Sequence, residues 1–194
     1  MVQVENEYGS YGDDSEYIRR VAQIYRDNGI DCQLFTSDGA CMWMLSGGTL
    51  PDVLAVANFG SYVDQMLTLR EFQKDRPLMC GEFWCGWFDH WRDKHHTRKP
   101  ESVVKEVQEF LDCGASFNFY MFHGGTNFGF MSGANHYERF APDVTSYDYD
   151  AMLTECGDVT PKYMAVREVI QKHTKEELPE IPANRIKKAY GKVK

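Results

Sequence analysis

Two carboxylates stand out in this chain by where they fall. Glu7 lies in QVENEYGSYG (residues 3–12), and Glu82 lies in MCGEFWCGWFDHW (79–91). Each closes a short run that reads as a β-strand and opens onto Gly and aromatic residues. Carboxyls paired at strand ends suit chemistry on a glycosidic bond, where one acid protonates the leaving oxygen while the other carboxylate attacks the sugar carbon. Tyr8, Phe83, Trp84 and Trp87 flank the pair. Their rings offer flat platforms for sugar rings and would raise the pKa of a nearby carboxyl by desolvation. Taken alone, acids at strand ends also serve as salt-bridge partners and helix caps. Alternation places Glu5 on the same strand face as Glu7, so the pattern does not choose between them.

Other groups carry weaker signals. His90, His95 and His96 with Asp89 resemble a metal cluster only loosely, without the usual supporting pattern, and no metal is expected there. Gly124-Gly125 and Gly129 lack the Gly-Lys-Ser/Thr of a phosphate loop and read as points of close backbone packing. Trp87, Phe88 and Trp91 read as packing residues. Six cysteines (32, 41, 80, 85, 113 and 156) show no CxxC spacing, and free, mostly buried thiols are expected.

The elements that must position these residues follow from the periodicity. Strands are predicted over residues 1–6, 30–36, 53–59, 77–83 and 116–122, the third apolar nearly throughout. Helices are predicted between them: one capped near Ser15 and stopped by Asn28-Gly29, one over 61–74, one opened by Pro100 and ended before Gly114, and a last one opened by Thr160-Pro161. Strands alternating with helices imply a parallel sheet wrapped by helices. The long Gly- and aromatic-rich stretches, residues 8–14, 84–98 and 123–158, all follow strands, as the active-face loops of a (β/α)8 barrel do. A doubly wound sheet often carries GxGxxG, which is absent. A whole barrel takes about 250 residues, so five strands in 194 residues read as the second part of one.

Composition sets further bounds. Hydrophobic residues make up 43% and charged residues 26%, as in an ordinary globular domain, and aromatics reach 14%. A net charge of −8 argues against nucleic acid as a partner, and no apolar run approaches the roughly 18 residues of a membrane span. The body is expected over residues 1–175. Residues 176–194, with Pro179, Pro182 and five basic residues after 184, read as a linker toward a further region.

Four blocks, QVENEYGSYG, GEFWCGWFDHW (81–91), FNFYMFHGGTNFGFMSGAN (117–135) and TSYDYDAMLTECGD (145–158), resemble in order the signature blocks of glycoside hydrolase family 35 β-galactosidases. The resemblance runs over residues 1 to about 173. It implies an α/β fold, a (β/α)8 TIM barrel of which this chain supplies the C-terminal five β/α units, strands four to eight. It also implies retention at the anomeric carbon and no metal or organic cofactor. The acid/base, the second Glu of the ENE motif, falls on Glu7, and the nucleophile ending strand seven falls on Glu82. Asn6 matches the Asn that holds the sugar beside its reacting carbon. Tyr120, Tyr149 and, less closely, Tyr147 match tyrosines lining the galactose site. Trp84 stands where many members carry Tyr, which leaves its ring to stack on sugar.

The resulting expectation is a retaining exo-β-galactosidase acting on a β-galactoside oligosaccharide or glycoconjugate, active as part of a longer chain that is exported or lysosomal. The alternatives are a non-catalytic sugar-binding fragment and the same chemistry on another terminal β-glycoside.

Overall fold

The computed structural model describes residues 1–129, 131–184 and 186–192. Five parallel strands form one sheet in chain order: β1 (Val2–Gln3), β2 (Leu34–Gly39), β3 (Leu54–Phe59), β4 (Met79–Trp84) and β5 (Ser116–Tyr120). Between and after them come α1 (Ser15–Asp27), α2 (Met42–Gly48), α3 (Gln65–Phe72), α4 (Pro100–Asp112) and α5 (Pro161–His173). Every neighbouring pair is parallel and the order never reverses. That is a stretch of barrel wall; a doubly wound sheet would reverse its order at a switch point. The chain is thus a curled partial (β/α)8 barrel, with β1 and β5 as its edges.

Local chemistry explains most boundaries. Asp14, one residue before the expected cap, accepts from the N–H groups of Glu16 and Tyr17 and starts α1. Gly29, at φ 81°, ends it. Pro100 and Pro161 occupy first-turn positions, where a missing N–H costs nothing, and Thr160 caps Tyr163 N–H at 3.1 Å. Two apolar clusters hold the layers together. In one, Phe59 and Phe83 of the sheet meet Phe110 of α4 at ring separations of 5.6 and 5.2 Å, with Met66, Leu69, Val166 and Val169 closing around them. The other joins Val4, Leu34 and Val53 to Ile18 and Ala22 of α1.

The structure corrects several expectations. β1 is two residues long rather than six, although Val4 N–H and Glu7 N–H still bond to the Phe35 and Ser37 carbonyls. β2 starts four residues later than predicted and runs on through Ser37 and Asp38, polar residues that look like a turn but are buried. α2 and a short antiparallel hairpin, β6 (Ala134–His136) with β7 (Phe140–Pro142), were not predicted. All six thiols are free, but only Cys80 and Cys85 are buried, so most are not. Of the expected linker, the segment to Asn184 packs back beside Phe122, Leu153 and Tyr163; Arg185, Val193 and Lys194 lie outside the described residues.

Candidate active site

Glu7 sits in the loop after β1, where the chain turns sharply into a 3-10 turn at Tyr8–Ser10. Both Glu5 and Glu7 take left-handed backbone angles, φ 61° and 50°. The double turn separates two acids that a strand would have kept on one face. Glu5 Oε1 accepts from Tyr17 OH on α1 at 2.6 Å, whereas Glu7 Oε1 accepts from Asn58 Nδ2 on β3 at 3.0 Å. Asn6 between them is exposed, and its Oδ1 accepts from Gln3 Nε2 at 2.9 Å.

Glu82 owes its aim to a bulge. Ala57 pairs with Cys80 but Asn58 pairs with Glu82, so β4 carries one extra residue at this point. The slip lets Cys80 and Phe83 both enter the apolar cluster while Glu82 and Trp84 stay half-buried. Trp84 Nε1 donates to Glu82 Oε2 at 3.0 Å, a polar contact beyond the expected ring stacking. Burial raises the Glu82 pKa; the indole bond pulls it down, and the Glu7 charge pushes it up again. The Glu82 carboxyl therefore senses the Glu7 charge across the sheet ends.

A third acid, not singled out from the sequence, completes this group. Asp38 of β2 is only 1% exposed and accepts from Gly9 N–H at 2.8 Å. Burial pushes it up to about 6, the Gly9 bond working against the shift and the Glu7 charge adding to it. α2 closes over it through Gly48, where a Cβ would lie 2.1 Å from Asp38 Oδ1. For Asn58 the signal was a polar residue inside an apolar strand; Ser37 and Asp38, which read as a turn after the second predicted strand, gave none.

Tyr120, Tyr147 and Tyr149 come together as one cluster. Tyr120 and Tyr147 hydroxyls lie 3.2 Å apart, and both rings pack on Tyr149 with centroids 5.6 and 5.5 Å away. Burial raises the pKa of Tyr147 and of Tyr149, keeping both as neutral donors. The Tyr149 hydroxyl is buried without a partner among the described residues, a state that a ligand oxygen would relieve. Trp84, Trp87 and Phe88 continue the rings from Glu82 toward Tyr147 and Tyr149, while Trp91, expected to pack, is exposed. Two glycines set how closely the loops approach. A Cβ on Gly86 would lie 1.7 Å from the Tyr149 carbonyl oxygen, and one on Gly124 would lie 1.8 Å from that of Tyr147. Close packing is therefore what Gly124 does; Gly125 and Gly129 serve positive φ angles of 74° and 59°.

Beneath the tyrosines a buried cation ties the loops to the helices. Lys162 of α5, 3% exposed, donates to the Cys85 carbonyl at 2.8 Å and to Asp150 Oδ2 at 2.7 Å. Asp150 Oδ2 also accepts from Arg98 N–H at 2.6 Å. This knot steadies Tyr149 and Asp150, which both hold left-handed φ angles unfavourable for residues with a Cβ. Nearer the surface Asp89 accepts from His95 Nδ1 at 2.6 Å and His96 Nδ1 at 2.8 Å. Those histidines staple loops together; no group of three or more His, Cys, Asp or Glu among the described residues is arranged to hold a metal ion.

The chain matches known proteins over most of its length. The model of the family described as "Glycosyl hydrolases family 35" matches residues 1–173. A beta-galactosidase of Xanthomonas manihotis is 48% identical over 189 residues, covering 94% of this chain and 31% of that protein. The human beta-galactosidase-1-like protein 3 is 45% identical over 194 residues, covering 100% of this chain and 29% of its own length. A mouse beta-galactosidase is 47% identical over 199 residues, covering 99% and 30%. The chain thus spans about a third of the length of the curated relatives it matches.

Proposed function

This chain belongs to glycosyl hydrolases family 35, and on that footing we propose that it carries the catalytic face of a retaining exo-β-galactosidase. Glu82 is the nucleophile and Glu7 the acid, then base. In the first step Glu7 gives its proton to the glycosidic oxygen as Glu82 attacks the anomeric carbon, forming a covalent glycosyl-enzyme and releasing the aglycone. In the second, Glu7 takes a proton from water, whose oxygen displaces Glu82 and frees galactose. The observation that carries the reading is the placement of the pair: Glu7, beyond β1, accepts from Asn58 of β3, and Asn58 stands opposite Glu82 of β4. The Trp84 indole N–H favours the ionised form that a nucleophile needs.

Substrate contacts follow from the same geometry. Gln3 occupies the Asn6 oxygen, which leaves the Asn6 NH2 group to donate to the sugar 2-hydroxyl. Tyr147 and Tyr149 supply hydroxyls that burial keeps neutral, Tyr120 adds a third hydroxyl, and Trp84 gives a ring beside the nucleophile. Residues after 175 lead on to a further region, and the full-length protein works outside the cytosol, in an exported or lysosomal setting. One observation favours a non-catalytic fragment instead: five strands leave the sheet open at both edges. The deciding experiment uses the barrel-complete protein, in which this chain is joined to three further strand–helix units. A 2-deoxy-2-fluoro-galactoside should label the peptide containing Glu82, and Glu82→Gln should abolish both label and turnover. Labelling of Glu5, Glu7 or Asp89 would overturn the assignment.

A further inference from the structure

The polar residues beneath Glu7 are not there for packing. β3 is apolar except for Asn58, which is 2% exposed, and β2 buries Ser37 to the same degree beside it. Burying an amide and a hydroxyl is unfavourable unless their polar atoms are matched, and here the matching has a direction. Ser37 Oγ donates to Asn58 Oδ1 at 2.7 Å, and Asn58 Nδ2 donates to Glu7 Oε1 at 3.0 Å. Glu7 N–H donates to the Ser37 carbonyl at 2.9 Å, so backbone and side chain of Glu7 are held by adjoining strands. Gly81, the residue before Glu82, leaves the room for this: a Cβ there would lie 2.7 Å from Ser37 Oγ and 3.0 Å from Asn58 Oδ1.

We propose that Asn58 is the positioning residue for the Glu7 carboxyl, with Ser37 fixing which side of the amide Glu7 meets. This rests on the reading of Glu7 as acid/base. An amide presents a donor or an acceptor depending on its flip; with Ser37 engaging the oxygen, Glu7 meets the NH2 group. That bond occupies Oε1 and leaves Oε2 to give and take the proton. It also fixes the direction of the carboxyl that must accept a proton from water in the second step. Asn58 lies opposite Glu82 in the β3–β4 register, so the residue holding Glu7 also sits between the two reacting carboxyls. Asp38 of β2 and Glu82 of β4 face Glu7 as well, and each senses its charge. The three acids have different donors: Gly9 N–H for Asp38, the Trp84 indole for Glu82 and the Asn58 amide for Glu7.

The test is the pH dependence of kcat/KM in the barrel-complete protein for Asn58→Leu and Ser37→Ala, with Glu7→Ala in parallel. Asn58→Leu should move the alkaline limb up by about one pH unit, as expected for losing a hydrogen bond to an ionised group. It should also lower kcat on poor leaving groups by roughly tenfold or more with KM little changed. Ser37→Ala, a smaller change that tests the same point if Asn58→Leu fails to fold, should shift the limb in the same direction by less. Limbs within about 0.2 pH unit of the parent, or changes confined to KM, would overturn the proposal. Glu7→Ala separates the two levels. If it slows poor leaving groups selectively and is rescued by azide, the acid/base reading stands whatever Asn58 does. If it does neither, that reading fails and the positioning role falls with it.

Discussion

Separating residues 1–194 from the rest of a barrel is the perturbation whose outcome follows most directly from the structure. A folded monomer of this mass, 22.4 kDa, exposes roughly 9,400 Å2. This chain exposes 12,905 Å2, an excess of about 3,500 Å2 on that scaling. Assigning half of the excess to the extended residues after α5 leaves about 1,700 Å2 for the inner face and the two sheet edges. With a little over half of it apolar, about 1,000 Å2 at 25 cal/mol per Å2 is ~25 kcal/mol of burial forgone. Whole domains are stable by only about 5–15 kcal/mol. The unpaired edges of β1 and β5 add templates for pairing with other chains. Expressed alone, residues 1–194 should therefore be inactive on a nitrophenyl galactoside and should aggregate, self-associate or persist as a loosely packed monomer. Light scattering gives the mass, and amide exchange reports whether β3 and β4 are protected. A soluble monomer with cooperative unfolding and measurable turnover would refute the reasoning.

Three further outcomes are expected in the barrel-complete protein. Asp38 is raised to about 6 from 3.8, so the stability it lends is full below about pH 4 and is lost as pH rises through about 6. Asp38→Asn, which keeps an acceptor for Gly9, should match the parent near pH 4 and gain up to about 3 kcal/mol at pH 8, read from unfolding midpoints; a pH-independent difference would contradict this. Gly124→Ala forces a methyl against the Tyr147 carbonyl, so it should cost about 1–3 kcal/mol of stability and lower kcat/KM at least tenfold; parent-like turnover would show that the loop yields freely. Lys162→Met leaves Asp150 and two carbonyls without their cation and should cost about 3–5 kcal/mol; adding Asp150→Asn should recover part of that loss, and simple additivity would argue against coupling.

The parts of the fold legible in the sequence are those punctuated by residues with fixed backbone demands. Asn28-Gly29, Pro100, Gly114 and Thr160-Pro161 marked helix ends within a residue or so because their φ angles or missing N–H groups admit few alternatives. α2 escaped notice because it is seven residues long, ends in Gly47-Gly48 and has no side-chain cap. Its glycines are small for a tertiary reason: Asp38 and the Gly12 carbonyl press on them. β2 was misplaced because Ser37 and Asp38 carry turn chemistry, and only their partners, Asn58 and Gly9, explain their burial. Glu7 and Glu82 stood out from their blocks, but alternation does not separate Glu7 from Glu5; only the family resemblance chose Glu7, and what no pattern showed is the left-handed turn that sends one acid toward Asn58 and the other toward Tyr17. Lys162 gave no signal at all, since its partners are main-chain oxygens and an acid 12 residues away.

That lysine has a consequence for how the protein is made. Every residue in the carboxyl and tyrosine groups, from Asn6 to Tyr149, precedes it in the chain. A ribosome that has released Tyr149 has delivered all the reacting groups yet not the ammonium that joins the Cys85 and Asp150 carbonyls. Until α5 emerges and docks on α4, the two loops lack this cation and are joined by lesser contacts such as Arg98 N–H to Asp150 and the Trp87 and Tyr149 rings. Vectorial synthesis thus places the latch after the parts it locks, so the buried ion pair beneath the tyrosines is the last of these contacts that the growing chain can make.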